Sequence, residues 1–237
     1  MDSTKELLFL LELRYLADTS QWHAEHIKIL AAAWTDTHGA LRKPKPKSQP
    51  QFSLADPRSY FEQLRDATNE QTRERRELLN QSINAQWEIF ARVDAFLALY
   101  GRIALILFPQ EDKKNPKKNL IQQARAAGLR SALRIDTNHP FSERVLRNKW
   151  VHFDETIDKV DGEVSLQRFV HSSALREIDL NNTVRLFVVD TLKIVYQGQG
   201  NFELEQMFAS VDDIRNRTLQ AIETWGKRWE EELASEG

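Results

Sequence analysis

Apolar residues recur every three or four positions through most of this chain, which is the spacing of amphipathic helices. The longest such region begins at Asp56-Pro57, where a capping residue precedes proline, and ends at Phe108. Other helices are predicted over about 4–38, with His38-Gly39 as the stop, and over 116–133 and 210–234. Leu7, Leu8, Leu11 and Tyr15 form the predicted apolar face of the first helix, and Ile27, Leu30 and Trp34 continue one later.

Two segments depart from the helical pattern. Residues 40–55 contain Lys43-Pro44-Lys45-Pro46-Lys47 and are predicted to be an extended linker, since proline blocks helix. Between residues 183 and 198, short β-branched runs punctuated by glycine predict a small β-hairpin. The predicted fold class is therefore mainly α, a helical bundle with a small β-hairpin insert near 183–198, and residues 1–237 form one domain.

Composition narrows the class of protein. The 237 residues include no cysteine, which excludes a disulfide framework and cysteine-based metal sites and fits a reducing cytoplasm. The net charge of −2 is unlike that of a protein that coats nucleic acid. Acidic residues in the apolar N-terminal stretch argue against a signal peptide, and Arg102 interrupts the apolar run 96–108. We therefore expect a cytoplasmic protein without a membrane segment.

Residues 141–159 carry the most informative chemistry. This stretch is predicted to be a helix, with Ser142 as a cap. On a helical wheel, Leu146, Trp150, Phe153 and Ile157 form one apolar stripe, while Arg144, Asn148, His152 and Glu155 fall on the opposite side. Arg147 and Val151 lie at the edge of that polar side. The reactive groups are therefore predicted to face water, a groove or a second subunit.

Arg147, Asn148 and His152 could together act on a phosphodiester. Arginine offers a permanent charge and a forked set of donors that matches phosphate. Histidine exchanges protons near neutral pH, and asparagine can orient either partner. None of the three needs a metal or another cofactor, and none is predicted.

The string Arg147-Asn148-(three residues)-His152 resembles the R-x4-H signature of the HEPN superfamily. Members of this family are α-helical bundles, many of which pair as dimers and bring two copies of the motif into one cleft. The active members are metal-independent RNA endonucleases, frequent in toxin–antitoxin, phage-defence and CRISPR systems. The resemblance implies a homodimer through the motif-helix face that acts on RNA, with an antitoxin or another defence-system protein as a further partner.

The same resemblance assigns roles to individual residues. His152 becomes the catalytic histidine, Arg147 the arginine that binds the scissile phosphate, and Asn148 the residue that orients them. Arg144 is a second candidate phosphate contact, and Glu155 is a candidate for orienting the imidazole. The expected products carry a 2′,3′-cyclic phosphate and a 5′-hydroxyl. Phe141 and Val151, on the polar side of the helix, hint at a buried dimer interface.

Two other interpretations of these residues remain open. The polar face could belong to a non-catalytic helical module that binds RNA, a nucleotide or a protein. It could also be an ordinary solvated face, with Arg147–Asp154 and Glu155–Lys159 as surface ion pairs, in a purely structural bundle.

The remaining polar clusters are less specific. Lysines at 43–47 and Lys113, Lys114, Lys117 and Lys118 could contact RNA phosphates, although solvated loop lysines have the same pattern. His23 and His26 lie one turn apart but have no evident third ligand, so no metal site is predicted. Most of the six tryptophans occupy helical apolar positions and are expected in the core rather than as stacking platforms.

Overall fold

The computed structural model describes residues 3–42, 60–111, 114–143, 165–177, 183–196 and 200–236. The helices in these ranges are α1 (Ser3–Arg42), α2 (Tyr60–Leu107), α3 (Pro116–Ala132) and α4 (Leu204–Glu236). The strands are β1 (Ser165–Val170), β2 (Thr183–Val188), β3 (Lys193–Tyr196) and β4 (Gly200–Glu203). The prediction of a mainly helical chain with a small β element is therefore confirmed.

The core forms where α1 packs against α2 and α4. The buried stripe of α1 advances in steps of three and four residues and mixes large with small side chains: Leu13, Ala17, Ser20, Ala24, Ile27, Ala31 and Trp34. Small residues at these positions let neighbouring helix backbones approach closely. Phe96 and Ile103 of α2 and Ile214 of α4 fill the remaining space. This regular seam holds three long helices around one hydrophobic core.

The predicted apolar face of the first helix is wrong at its beginning, whereas Ile27 and Trp34 are buried as predicted. Leu8, Leu11 and Tyr15 are 61%, 47% and 62% exposed, whereas Leu10 and Leu13 are buried. The prediction followed the bulkiest residues, but the actual seam passes through alanines and Ser20, whose hydroxyl donates to the carbonyl of Leu16. A seam with small and hydroxyl-bearing residues has little hydrophobic contrast in the sequence.

The predicted stop at His38-Gly39 is also wrong, because α1 continues to Arg42. A glycine inside a helix costs only about 1 kcal/mol relative to alanine. Residues 40–42 of the predicted linker are helical, and the remainder of the linker and the Asp56-Pro57 start lie outside the described residues. From Tyr60, α2 runs without interruption through its charged first half. The predicted helix over 116–133 is confirmed as α3, and the last helix begins at Leu204 rather than at 210.

The β element is larger than the predicted hairpin. Strands β2 and β3 pair antiparallel, as a hairpin requires, but β1 adds parallel to β2 and β4 adds antiparallel to β3. Phe187 and Ile194 are fully buried in the common core. Arg185 of β2 contacts Asp94 of α2 at 2.5 Å and fastens the sheet to the helices. β1 was missed because a parallel neighbour across an intervening segment leaves no turn signal in the sequence.

The helix predicted from Phe141 does not begin there. Pro140–Ser142 forms one 3-10 turn, and Glu143 follows in an extended conformation (φ −68°, ψ 111°). Phe141 is 2% exposed and stacks on Tyr100 of α2 at 4.1 Å. Its role as a dimer contact is therefore wrong, since it belongs to the core of its own chain. The rest of the predicted motif helix, residues 144–159, lies outside the described residues.

Hydropathy along the described helices does not reach what a bilayer crossing requires: none combines sufficient length with sufficient apolar character.

Candidate functional site

The residues of the predicted catalytic set lie outside the part of the chain that the structure describes. These are Arg144, Arg147, Asn148, His152 and Glu155. Their arrangement on one face of a helix stays a prediction. The described range 114–143 ends just before them, at Glu143.

Three of the four predicted phosphate-binding lysines are described, and Lys113 is not. Lys114, Lys117 and Lys118 are exposed at the start of α3. Asn115 caps this helix, and its side-chain oxygen accepts from the backbone N–H of Lys118 at 3.2 Å. The positive end of the helix dipole and the lysine charges add at this place. Their contact with RNA stays a prediction.

A cavity lined by described residues lies at the other end of α3, where this helix meets α4 and the beginning of α1. Its volume is about 820 Å³. We call it the arginine cleft, and it is lined by Glu6, Gly128, Ser131, Ala132, Leu133, Arg134, Asp213, Asn216, Arg217, Gln220, Ala221, Thr224 and Arg228. The cleft and the lysines are separated by the length of α3, about 25 Å for 17 residues.

Arg134 lies at the rim of the arginine cleft in a left-handed conformation, with φ 54°. Arg134 directly follows the last turn of α3. Its N–H donates to the carbonyl of Ser131 at 3.1 Å, and the N–H of the next residue, Ile135, donates to the carbonyl of Arg130 at 2.8 Å. These two bonds define a Schellman motif, in which the residue at this position is usually glycine. An arginine here carries conformational strain that a glycine would relieve.

Arg217 of α4 holds this turn in place. Its Nη1 donates to the carbonyl oxygens of Leu133 at 3.2 Å and Arg134 at 2.7 Å, and its Nε donates to Asp213 at 2.7 Å. The guanidinium therefore satisfies carbonyls at the end of α3, which have no partner within that helix. One side of the cleft is rigid because a single arginine bridges the two helices.

His139 shares Asp213 with Arg217. Its Nε2 lies 3.4 Å from the Asp213 carboxylate, and its Nδ1 accepts from the backbone N–H of Phe141 at 3.4 Å. Because Nδ1 accepts a hydrogen bond, the ring proton is on Nε2, which donates a hydrogen bond to the Asp213 carboxylate. Burial lowers the pKa of His139, an effect that Asp213 opposes. This group of side chains joins the turn before residue 144 to α4 and to the wall of the cleft.

The charges of the arginine cleft are only partly compensated. Arg217 is paired with Asp213. Within the described residues, Arg134 and Arg228 have no ion-pair partner, and Glu6 is the other acid of the lining. The lining thus carries three positive and two negative side chains, and one of the negative ones is already engaged. Two guanidinium groups are left to attract an anion.

Two indole rings adjoin the cleft. Trp225 and Trp229 of α4 stack with centroids 5.6 Å apart and planes inclined by 8°. They line a small recess of about 40 Å³ together with Glu232 and with Glu6 and Arg228, which also line the arginine cleft. Trp229 is 45% exposed.

The expectation that tryptophans lie in the core is therefore wrong for several of them. Trp34 is buried, but Trp22, Trp87 and Trp229 are all exposed by 45% or more. Apolar spacing indicates which side of a helix a residue occupies. It does not reveal how far the helix extends beyond its partners.

A second cavity of about 560 Å³ lies between the end of α1 and the first half of α2. Leu41, Leu78 and Leu79 give it apolar walls, and Arg42, Arg75 and Arg76 add positive charge.

His23 and His26 lie beside the Trp22 ring on α1. Both rings pack against Trp22, with centroids 4.8 Å and 4.2 Å away. Among the described residues, no group of three histidine or acidic side chains is placed to hold a metal ion.

Reasoning from the sequence missed the arginine cleft, although part of its signal is visible there. Asp213, Arg217, Gln220, Thr224 and Arg228 follow one another at helical spacing along α4. The sequence predicted an amphipathic helix over 210–234 but did not single out these polar residues. Nothing in the sequence indicates that the end of α3 returns to cover this face.

Comparison with known proteins returns no matching family model, no similar curated protein and no similar solved structure. The function must therefore be argued from the residues of this chain.

Proposed function

We propose that this protein is a metal-independent endoribonuclease of the HEPN type. The observation that carries the proposal is the string Arg147-Asn148-(three residues)-His152 in a chain that is mainly helical. Arginine, an amide and an imidazole at this spacing supply what phosphodiester transesterification needs: charge stabilisation, orientation and proton transfer.

The reaction begins when His152 removes the proton of a ribose 2′-hydroxyl. The 2′-oxygen attacks the adjacent phosphorus, and the bond from phosphorus to the 5′-oxygen breaks. A protonated imidazole, for which the second subunit supplies the other His152, returns a proton to the leaving 5′-oxygen. Arg147 stabilises the charge that develops on the phosphoryl oxygens, and Asn148 orients the pair. Arg144 adds a phosphate contact and Glu155 orients the imidazole. The products are a 2′,3′-cyclic phosphate and a 5′-hydroxyl.

The anchoring of the preceding turn supports this proposal. Phe141 is packed on Tyr100, and His139 is bonded to Asp213, so the chain leaves a fixed point at Glu143. Arg147 follows four residues later, and the contour of four residues limits its Cα to within about 14 Å of that of Glu143. A catalytic arginine benefits from such a rigid support, because small displacements of a reacting group cost rate.

A toxin or defence effector that an antitoxin holds inactive is the biological role that fits this chemistry. The second candidate function is a binding module without catalysis. The arginine cleft favours it, because guanidinium and amide groups in a fixed cavity can bind an anion without reacting with it.

The test is cleavage of a mixed RNA substrate in excess EDTA by the wild-type protein and by His152→Ala and Arg147→Ala. His26→Ala serves as the matched control, because His26 is a histidine on α1 whose ring bonds to the carbonyl of Trp22. We expect cyclic-phosphate ends from the wild-type protein and the control, and no cleavage by the other two. Equal cleavage by His152→Ala would overturn the proposal. A folded dimer that cleaves no RNA under any condition would transfer the assignment to the binding module.

A further inference from the structure

We propose that the arginine cleft and the adjoining indole of Trp229 form a binding site for a nucleoside phosphate, with the phosphate at Arg134 and the base against Trp229. The site consists of described residues of α1, the end of α3 and α4. It is separate from the proposed catalytic residues, and it does not depend on ribonuclease activity.

The conformation of Arg134 is the first argument. A left-handed residue after a helix is normally glycine, and any other L-residue except asparagine is rare there. The strain persists because the surrounding bonds from Arg217 and the Schellman motif hold the backbone in place. Strain of this kind occurs where a side chain has a task that a glycine could not perform. A guanidinium on the wall of a cavity has such a task if the cavity binds an anion.

The charge of the cleft selects the sign of the ligand. Arg134 and Arg228 have no ion-pair partner within the described residues, whereas Asp213 is already bonded to Arg217 and His139. A phosphate at Arg134 would find an uncompensated guanidinium able to donate two parallel hydrogen bonds, and Arg228 adds a second positive charge towards the indoles. A cation in the cleft itself would meet one uncompensated carboxylate, that of Glu6, and two repelling arginines; Glu232 adds a second carboxylate only in the recess beside the indoles.

The length and the polar lining of the cleft select a ligand larger than an inorganic anion. The wall formed by α4 extends from Asp213 to Arg228, about 22 Å at 1.5 Å per residue. Between these ends lie the amides of Asn216 and Gln220 and the hydroxyl of Thr224. Amides and hydroxyls can bond to the edge of a base and to a ribose. The volume of about 820 Å³ is in the range of small-molecule sites.

The indoles supply the last requirement, which is a surface for a flat ring. Trp229 is stacked on Trp225 and remains 45% exposed, so one large aromatic surface is fixed in place before the ligand arrives. Stacking of a base on an aromatic side chain is worth about 1–3 kcal/mol by alanine substitution. Glu6 and Arg228 line both the cleft and the recess at the indoles, so one ligand could contact both.

The experiment titrates the full-length protein with AMP, inorganic phosphate and adenosine, followed by calorimetry and tryptophan fluorescence. A 2′-O-methyl RNA pentanucleotide with a 3′-phosphate is the fourth ligand, because it lacks the 2′-hydroxyl that transesterification needs. The variants are Arg134→Gly, which removes the guanidinium and relieves the backbone, and Trp229→Leu. Arg75→Ala is the matched control, because Arg75 lines the second cavity.

We expect AMP to bind more tightly than either phosphate or adenosine, and to quench the tryptophan fluorescence. Arg134→Gly should weaken AMP binding at least about tenfold, the loss of one charge-assisted contact. Trp229→Leu should weaken the binding of AMP but not that of inorganic phosphate. Arg75→Ala should leave both affinities unchanged. Binding of the pentanucleotide that Arg134→Gly weakens to the same extent, without binding of AMP, would also support the site and identify an RNA end as the source of the phosphate.

Three results would overturn the proposal: no binding by any of the four ligands, equal affinity for AMP and inorganic phosphate, or AMP binding that Arg134→Gly leaves unchanged. A loss of RNA cleavage in His152→Ala bears only on the proposed ribonuclease, because AMP and the modified RNA bind without being cleaved. The failures of the two proposals are therefore distinguishable.

Discussion

Replacement of Arg134 by glycine should make the protein more stable. The left-handed conformation costs an L-residue about 1–2 kcal/mol, and glycine avoids this cost. Glycine also gains freedom in the unfolded chain, which removes about 0.5–1 kcal/mol of that advantage. The two bonds from Arg217 Nη1 end on carbonyl oxygens of the backbone, so they survive the substitution. The expected net gain is about 0.5–1 kcal/mol.

Urea unfolding measures this gain directly, and thermal unfolding should show a rise in Tm of about 1–4 °C for a chain of this length. Arg134→Ala is the control, because alanine removes the guanidinium but keeps a Cβ and therefore keeps the strain. Its stability should lie within about 0.5 kcal/mol of the wild type. If Arg134→Gly were less stable than Arg134→Ala, the backbone strain at this residue would be refuted, and with it the first argument for the nucleoside phosphate site.

Three further substitutions test the framework around the two sites. Asp94→Ala removes the carboxylate that contacts the buried guanidinium of Arg185 and should lower the free energy of unfolding by about 3 kcal/mol, measured by urea titration. A loss under about 1 kcal/mol would contradict the role of this ion pair in attaching the sheet to α2. Phe141→Ala removes a fully packed ring and should cost about 3–5 kcal/mol in the same assay, whereas an unchanged stability would place Phe141 outside the core. His139→Asn tests the pH dependence of stability. In the wild type the pKa of His139 is lowered in the folded state, so the unfolded state binds the proton first as the pH falls. The stability of the wild type therefore decreases below about pH 6.5. Urea midpoints at pH 7.5 and 5.5 should differ more for the wild type than for His139→Asn, and equal differences would contradict a neutral buried imidazole.

The sequence predicted the helices better than their faces. Helical periodicity after Pro116 identified α3 within one residue of its observed end. Periodicity identified Ile27 and Trp34 but not the buried side of the first half of α1, where Ala17 and Ser20 are buried while Leu8 and Tyr15 point outward. Hydrophobicity measures the tendency to avoid water, whereas the closeness of two helix backbones depends on side-chain size. When a helix has apolar residues on two sides, the helices that pack against it determine which side is buried.

The sheet and the turn before residue 144 show a different limit. The pairing of β2 with β3 is local, and short-range signals predicted it. The parallel pairing of β1 with β2 depends on segments that are distant in the chain, as does the packing of Phe141 on Tyr100. Such contacts join residues that are far apart in the sequence, so local propensity carries no trace of them.

The two proposed sites also differ in what the sequence could reveal. The motif at 147–152 is contiguous, and a resemblance can therefore be recognised from a single string of residues. The arginine cleft is assembled from α1, α3 and α4, and it depends on the backbone conformation of one residue, Arg134. No contiguous pattern describes such a site, and only the fold brings its members together.

Asp213 ties these two regions together, because its carboxylate bonds to Arg217 in the wall of the cleft and to His139 in the turn before Glu143. A substitution of Asp213 would therefore disturb both sites and could not distinguish their roles. Arg134→Gly and His152→Ala, in contrast, remove groups that belong to one site each. Cleavage that survives Arg134→Gly together with AMP binding that survives His152→Ala would establish two independent sites. Loss of cleavage in Arg134→Gly, with the fold intact, would instead mean that the cleft holds part of the RNA substrate.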